Sequence, residues 1–156
     1  MEFELVDTEL EIKNIEMMAS IIWPITYKGI LSLEQIRYML NKYLSKEAIE
    51  NNIKDGYTYV IFKENEVRMG FLAYKFEQDH LFLSKLYVLP AFQNKGIASN
   101  AILYLSQYHQ PIVLTVNKNN KNAIDKYLHL GFKQIDSVVT DIGNGYVMDD
   151  YIMKRK

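Results

Sequence analysis

The sequence predicts one mixed α/β (α+β) domain, residues 1–156: a single, mostly antiparallel sheet flanked by helices, with a parallel strand pair at its centre. Three observations predict it. Tyr57–Lys63, Val67–Phe76 and His80–Leu89 are rich in β-branched and aromatic residues and are separated only by the polar breaks Glu64-Asn65-Glu66 and Glu77-Gln78-Asp79, the pattern of an antiparallel meander. The third run leads through a short turn into a helical pattern and then the apolar run Ile112–Val116. Such a strand–helix–strand crossover makes its two strands parallel and right-handed. Finally, Phe132–Asp141 and Tyr146–Met153 flank Gly143-Asn144-Gly145, a hairpin signal. The length suits one domain, and 49% apolar residues suffice for a real core.

Phe3–Val6 reads as a short strand. Thr8 with Glu11 fits a capping box, and Ile15, Met18, Ala19 and Ile22 then share one helix face, with Pro24 limiting the run. Ser32 and Gln35 repeat the capping pattern ahead of Leu33, Ile36, Leu40 and Tyr43, and Ser45 can cap a third helix that stops at Gly56. Helices placed before the sheet begins suggest a cap over one end of it. Ile112–Val116, almost wholly apolar, suits a strand covered on both faces. Asn120 can cap the last helix, with Ala123, Ile124, Tyr127 and Leu128 on its buried side and Gly131 at its end.

The densest chemical signal lies where the meander meets its helix. The strand ends at Pro90, which has no amide hydrogen to donate. A helical repeat starts near Gly96, with Ile97, Ala98, Ala101, Ile102, Leu105 and Tyr108 on one face. A strand entering a helix through small residues leaves backbone amides and the positive end of the helix dipole facing outward, a seat for phosphate. Gly96 permits close approach and Ala98 adds little bulk. A second signal follows: Asn120-x-x-Ala123-x-x-x-Tyr127-x-x-x-Gly131-Phe132.

Gln93-x-x-Gly96-x-Ala98 followed by that second pattern resembles the GNAT superfamily of N-acetyltransferases, over the core from about Tyr57 to the C-terminus. The resemblance implies acetyl-CoA as cosubstrate, lying where two parallel strands splay apart, with no metal. It implies that the backbone of Leu86, Tyr87 and Val88 bonds the pantetheine arm and that amides from Gln93 through Asn94, Lys95, Gly96, Ile97 and Ala98 hold the pyrophosphate. Lys95 can add charge there, and Asn120 touches the pantetheine or positions its helix. Tyr127 is the implied catalytic residue, a phenol donating to the leaving sulfur; an ordinary tyrosine, with a pKa of about 10, keeps its proton at neutral pH. The Val88 amide is the implied oxyanion donor.

The base is not assigned. Many GNAT enzymes carry a glutamate on the strand before the phosphate loop, whereas this chain has Phe82, Leu83, Ser84 and Lys85. Waters ending at Glu77, His80 or Tyr27 are the alternatives. The family's acceptor site lies at the first helices and last hairpin, which here supply Trp23, Tyr27, Tyr38, Tyr146 and Tyr151 with Asp141, Asp149 and Asp150. Carboxylates beside aromatics suit a cationic amine, whether small, a polyamine or a peptide amino group.

Composition narrows the rest. A formal charge of -1 without a basic run gives no nucleic-acid footprint. The absence of cysteine removes a thiol nucleophile, a Cys-based zinc site and disulfides. The acidic Met1-Glu2-Phe3-Glu4 start and the lack of a run of about 20 apolar residues predict a cytoplasmic protein with no membrane association. The C-terminal hairpin offers an edge for homodimer pairing. A second reading of the same residues is an acyl-CoA-binding sensor without turnover. A third, a nucleotide site, lacks both the Walker ending and the longer dinucleotide glycine pattern.

Overall fold

The computed structural model describes residues 1–156. Chain order is β1 (Glu2–Leu5), α1 (Glu9–Thr26), α2 (Leu33–Leu44), α3 (Lys46–Lys54), β2 (Thr58–Glu64), β3 (Val67–Phe76), β4 (Leu81–Val88), α4 (Ile97–Ser106), β5 (Ile112–Asn117), α5 (Lys121–His129), β6 (Lys133–Gly143) and β7 (Tyr146–Arg155). One 3-10 turn, Pro90–Phe92, sits between β4 and α4. The seven strands form one sheet in the order β1-β2-β3-β4-β5-β7-β6. Every neighbouring pair is antiparallel except β4 with β5, so the predicted mixed sheet with its parallel pair is the one observed.

Helix starts follow the sequence signals closely. Thr8 accepts the Glu11 amide at 3.2 Å, Ser32 the Gln35 amide at 3.1 Å, Ser45 the Ala48 amide at 3.2 Å and Asn120 the Ala123 amide at 3.3 Å. The reciprocal half of each capping box is absent. Glu11 turns away to Arg68, and the Gln35 side chain donates to the Val147 carbonyl at 3.0 Å, tying α2 to β7. Pro24 lies inside α1, which runs on to Thr26 before ending within the turn.

The alternation of β2 explains the layers. Tyr59 and Ile61 face a core with Ile15, Met18, Ile22, Ile36 and Met39 from α1 and α2, while Val60 and Phe62 face a second core with Ile97, Ala101, Ile102 and Leu105 of α4. Helices α1–α3 therefore cover a face of the sheet and do not cap its end. The reason is visible in the burial of β2 and β3, whose central residues are shielded on both sides and need helices on each. Two further readings are corrected. In β5, Thr115 is exposed where the strand borders an opening, and Val113 is only half-buried. Leu128 of α5 is 50% exposed, since α5 lies at the rim of its core. No helix is long and apolar enough to cross a membrane.

Candidate active site

The opening beside β5 begins where a parallel ladder stops. β4 and β5 pair only at Leu81↔Ile112, Phe82↔Val113 and Leu83↔Leu114. Beyond Leu114, β5 continues against β7, from Thr115↔Ile152 to Asn117↔Asp150, while β4 stays with β3. The break coincides with an irregularity in β4: Leu83 faces Tyr74 and Lys85 faces Ala73, so Ser84 is an extra residue. A bulge bends its strand and increases the twist, which draws the far half of β4 away from β5.

The backbone on this divergent half is polarised. Leu89 donates to the Met69 carbonyl at 2.8 Å, which fixes the alternation of the ladder. Tyr87 directs its main-chain groups toward β3, and Leu86 and Val88 direct theirs toward the gap. The contact at Gly70 agrees, because a Cβ there would lie 2.2 Å from the Tyr87 carbonyl oxygen. Of the three residues expected to offer backbone bonds, Leu86 and Val88 have main-chain groups facing the gap, and Tyr87 lines it with its ring. The Val88 carbonyl accepts from Gln93 Nε2 at 3.0 Å, so Gln93 braces the turn with its side chain.

Next to this edge lies the start of α4. The N-termini of α1, α2, α3 and α5 each have a side-chain cap, and that of α4 has none. Its cap residue is Gly96, at φ 76°, and Asn100 is the first residue to bond back to it, at 3.1 Å. The amides of Ile97, Ala98 and Ser99 therefore have no partner within the helix. A Cβ on Gly96 would meet nothing within 4 Å, so the region above the turn is open. Asn94 also adopts a positive φ of 62°, and Lys95 extends over the Phe92 ring at 5.8 Å. A cavity of about 330 Å³ lies over this turn and shares Val88, Gln93, Asn94 and Ala98 with a larger one of about 630 Å³ at the strand gap.

Tyr127 lines the larger cavity from α5, its ring edge-on to Phe132 at 5.4 Å. Burial, with the nearby Tyr27 phenol, raises its pKa well above the ordinary value, so it holds its proton. Opposite, from the C-terminal cap of α1 and from β4, the Tyr27 and Tyr87 hydroxyls meet at 3.0 Å. Burial pushes Tyr27 up to about 12 and also raises Tyr87 well above the ordinary tyrosine value. Trp23 packs against both rings, at 4.9 and 5.6 Å. Lys85 reaches into the same space over Tyr59, and desolvation brings its pKa down to about 8.

Asn120 lines the cavity and also caps α5. Among the aromatic and acidic residues of the first helices and last hairpin, only Trp23, Tyr27 and Asp150 reach this space. Tyr38 donates to the Ile142 carbonyl at 2.6 Å and stacks near Tyr146, Asp141 accepts the Gly143 amide at 2.8 Å, and Asp149 pairs with Lys118 at 2.9 Å. Tyr151 packs toward the α4–α5 side, with Lys118 over its ring. Glu77 and His80 belong to the β3–β4 turn, at the closed end of the β4–β5 pair, and line neither cavity. Sequence reasoning set Asp150 beside Asp141 and Asp149 as acceptor-site carboxylates suited to a cationic amine, without separating the three, and the structure buries Asp150 to 4% exposure. The signal was its phase: Met148 and Asp150 are two apart on β7 and share the sheet face packed by α1–α3.

This geometry agrees with the likenesses to known proteins. The family model described as Acetyltransferase (GNAT) family matches residues 16–132. Uncharacterized N-acetyltransferases of Staphylococcus aureus strains are 35% identical over 60 residues, a stretch covering 38% of this chain and 39% of theirs. The fold is similar to that of the PaiA N-acetyltransferase from Thermoplasma acidophilum, solved in complex with coenzyme A: TM-score 0.82, 24% identity, covering 100% of this chain and 99% of that one. It is also similar to the ribosomal-protein-S18-alanine N-acetyltransferase from Escherichia coli, with TM-score 0.70, 16% identity and coverage of 99% and 92%.

Proposed function

Because the chain belongs to the acetyltransferase (GNAT) family, we propose that it transfers the acetyl group of acetyl-CoA to a primary amine by direct attack in a ternary complex, within one domain spanning residues 1–156. The observation that carries this reading is the coincidence of the open β4 edge with the uncapped start of α4. Such a pair suits a ligand that has an amide-bearing arm at one end and a pyrophosphate at the other.

The residues present fit acetyl-CoA. Leu86 can continue a ladder onto the pantetheine amides, the Val88 carbonyl being taken by Gln93, and the amides of Ile97 to Ser99 can take the pyrophosphate, with Lys95 adding charge. Asn120 holds the end of α5 that bears on the gap. Bound there, the cosubstrate supplies an activated acyl group whose sulfur is the leaving atom. The Val88 amide faces the gap, and in this reading it stabilises charge on the acyl oxygen. Tyr127, kept protonated by burial, donates to the departing sulfur. The amine enters on the α1 side, along the wall formed by Trp23, Tyr27 and Tyr87.

The test is free-thiol release from acetyl-CoA with a panel of amines. Turnover that depends on both acetyl-CoA and an amine supports the reading. Tight coenzyme A binding with no thiol release from any amine would identify an acyl-CoA sensor instead.

A further inference from the structure

The structure has three buried charged residues, and two of them are neutralised. Lys63 lies 2.6 Å from Glu4 and 3.7 Å from Glu11, and Glu11 also receives the Arg68 Nε at 3.1 Å. The third, Asp150, is in no ion pair, and its Oδ1 has no hydrogen-bond partner. The neighbouring cation that could have paired with it, Lys118, is engaged by Asp149. Two buried side-chain polar atoms in the whole chain lack a partner, Asp150 Oδ1 and Trp23 Nε1, and both residues line the cavity at the strand gap. An unpaired buried carboxylate is costly, and this one borders the cavity, where a cationic ligand would complete it.

We propose that Asp150 is the residue that takes the proton from the acceptor amine, binding it first as an ammonium ion. This rests on the acetyltransferase reading above. Asp150, in phase with Met148, is on the α1–α3 side of the sheet and Tyr127 on the other, so the first deprotonation and the leaving-group protonation occur on opposite sides of the gap. One N–H proton of the ammonium passes to Asp150 and then to solvent. The freed lone pair forms the N–C bond to the acyl carbon as the C–S bond breaks with its electrons on sulfur. Tyr127 protonates that sulfur, and the second nitrogen proton restores the phenol.

Burial, reinforced by the adjacent Asp149 and opposed by Lys118, lifts the Asp150 pKa to about 6, within the range where a carboxylate both exists ionised at neutral pH and accepts a proton readily. The other titratable groups facing this space are Tyr27 from α1, Lys85 and Tyr87 from β4, and Asp125, Lys126 and Tyr127 from α5. The ionised Asp150 contributes to the raised pKa values of Tyr27 and Tyr87, which places its charge near both hydroxyls.

The experiment compares kcat/KM against pH for wild type, Asp150→Asn and Asp150→Glu, using spermidine, phenethylamine and a tripeptide with a free amino group as acceptors. The wild type should rise to a plateau with an acid limb near pH 6. Asp150→Asn should be about a hundredfold slower at pH 7 and should lack that limb, rising instead toward the amine's own pKa. Asp150→Glu should recover at least tenfold of the loss. In parallel, a carbon-13 titration of the Asp150 carboxyl group gives a readout free of turnover, with an expected midpoint near 6. An active wild type whose Asn variant keeps both its rate and its acid limb, or a carboxyl that titrates below pH 4, overturns the role of Asp150 alone. A wild type that releases no thiol with any amine overturns the acetyltransferase reading and this inference with it.

Discussion

The two sides of the central sheet do different work with different materials. On the α4–α5 side the site is made mostly of main chain: the open edge at Leu86 and Val88, the uncapped amides of α4 and the turn held by Gln93. On the α1–α3 side it is made of side chains drawn from distant parts of the sequence, with Trp23 and Tyr27 from α1, Lys85 and Tyr87 from β4 and Asp150 from β7. The first is polar without burying charge, whereas the second places an unpaired carboxylate and a desolvated lysine among aromatic rings. A surface of backbone amides recognises one constant chemical group, and a pocket of side chains can be rebuilt for different acceptors without moving the sheet.

The comparison can be broken by variants that should affect one side alone. Tyr127→Phe removes a hydroxyl at the meeting point of the two; kcat should fall by about a hundredfold, with the coenzyme A dissociation constant within twofold of wild type by calorimetry. An unchanged kcat would take Tyr127 out of the mechanism. Gly70→Ala is the matching test of the main-chain side. Its Cβ would strike the Tyr87 carbonyl and force β3 from β4, with an expected cost of about 2–3 kcal/mol in urea unfolding and weakened coenzyme A binding.

Smaller effects probe the cost of buried charge on the other side. Asp150 has a folded pKa of about 6, above the ordinary carboxylate value, so its ionised form opposes folding above that pH and the penalty vanishes below about pH 4. Asp150→Asn should therefore be more stable than wild type by about 1–2 kcal/mol at pH 7.5, the gain fading as pH falls from 6 to 4. Lys85 has the opposite sign. Its pKa drops to about 8, so the protonated form opposes folding below pH 8 and the penalty is relieved as pH rises toward about 10.5. Lys85→Met should stabilise by about 1 kcal/mol at pH 7 and by nothing near pH 10.5, measured as paired melting temperatures. Variants at both positions that destabilise the protein would show that the charges are compensated after all.

The same contrast explains what could be read from the sequence. Cap residues Thr8, Ser32, Ser45 and Asn120, and the turn Gly143-Asn144-Gly145, act on neighbours a few residues away, so their effects were legible in order along the chain. The Gln93-to-Ala98 turn was legible for the same reason. The acceptor side was not, because it depends on which of several acids and aromatics the fold brings inward. Asp141 and Asp149 find partners outside the cavity in the Gly143 amide and Lys118, while Asp150, beside Asp149 in sequence, is turned into the cavity by the period-two phase of β7. The placement of α1–α3 over a face of the sheet was hidden likewise, since it follows from the double-sided burial of β2 and β3.

The seat itself can be tested without knowing the acceptor. Melting temperature is measured with coenzyme A, acetyl-CoA and ATP in parallel; a ligand confined to the folded state adds about 2.7 kcal/mol at a hundredfold excess over its dissociation constant, or roughly 5–10 °C for a domain of this size. A rise with coenzyme A and acetyl-CoA but not with ATP is the predicted result. No rise with either, or an equal rise with ATP, would contradict a coenzyme A site at the β4–β5 gap.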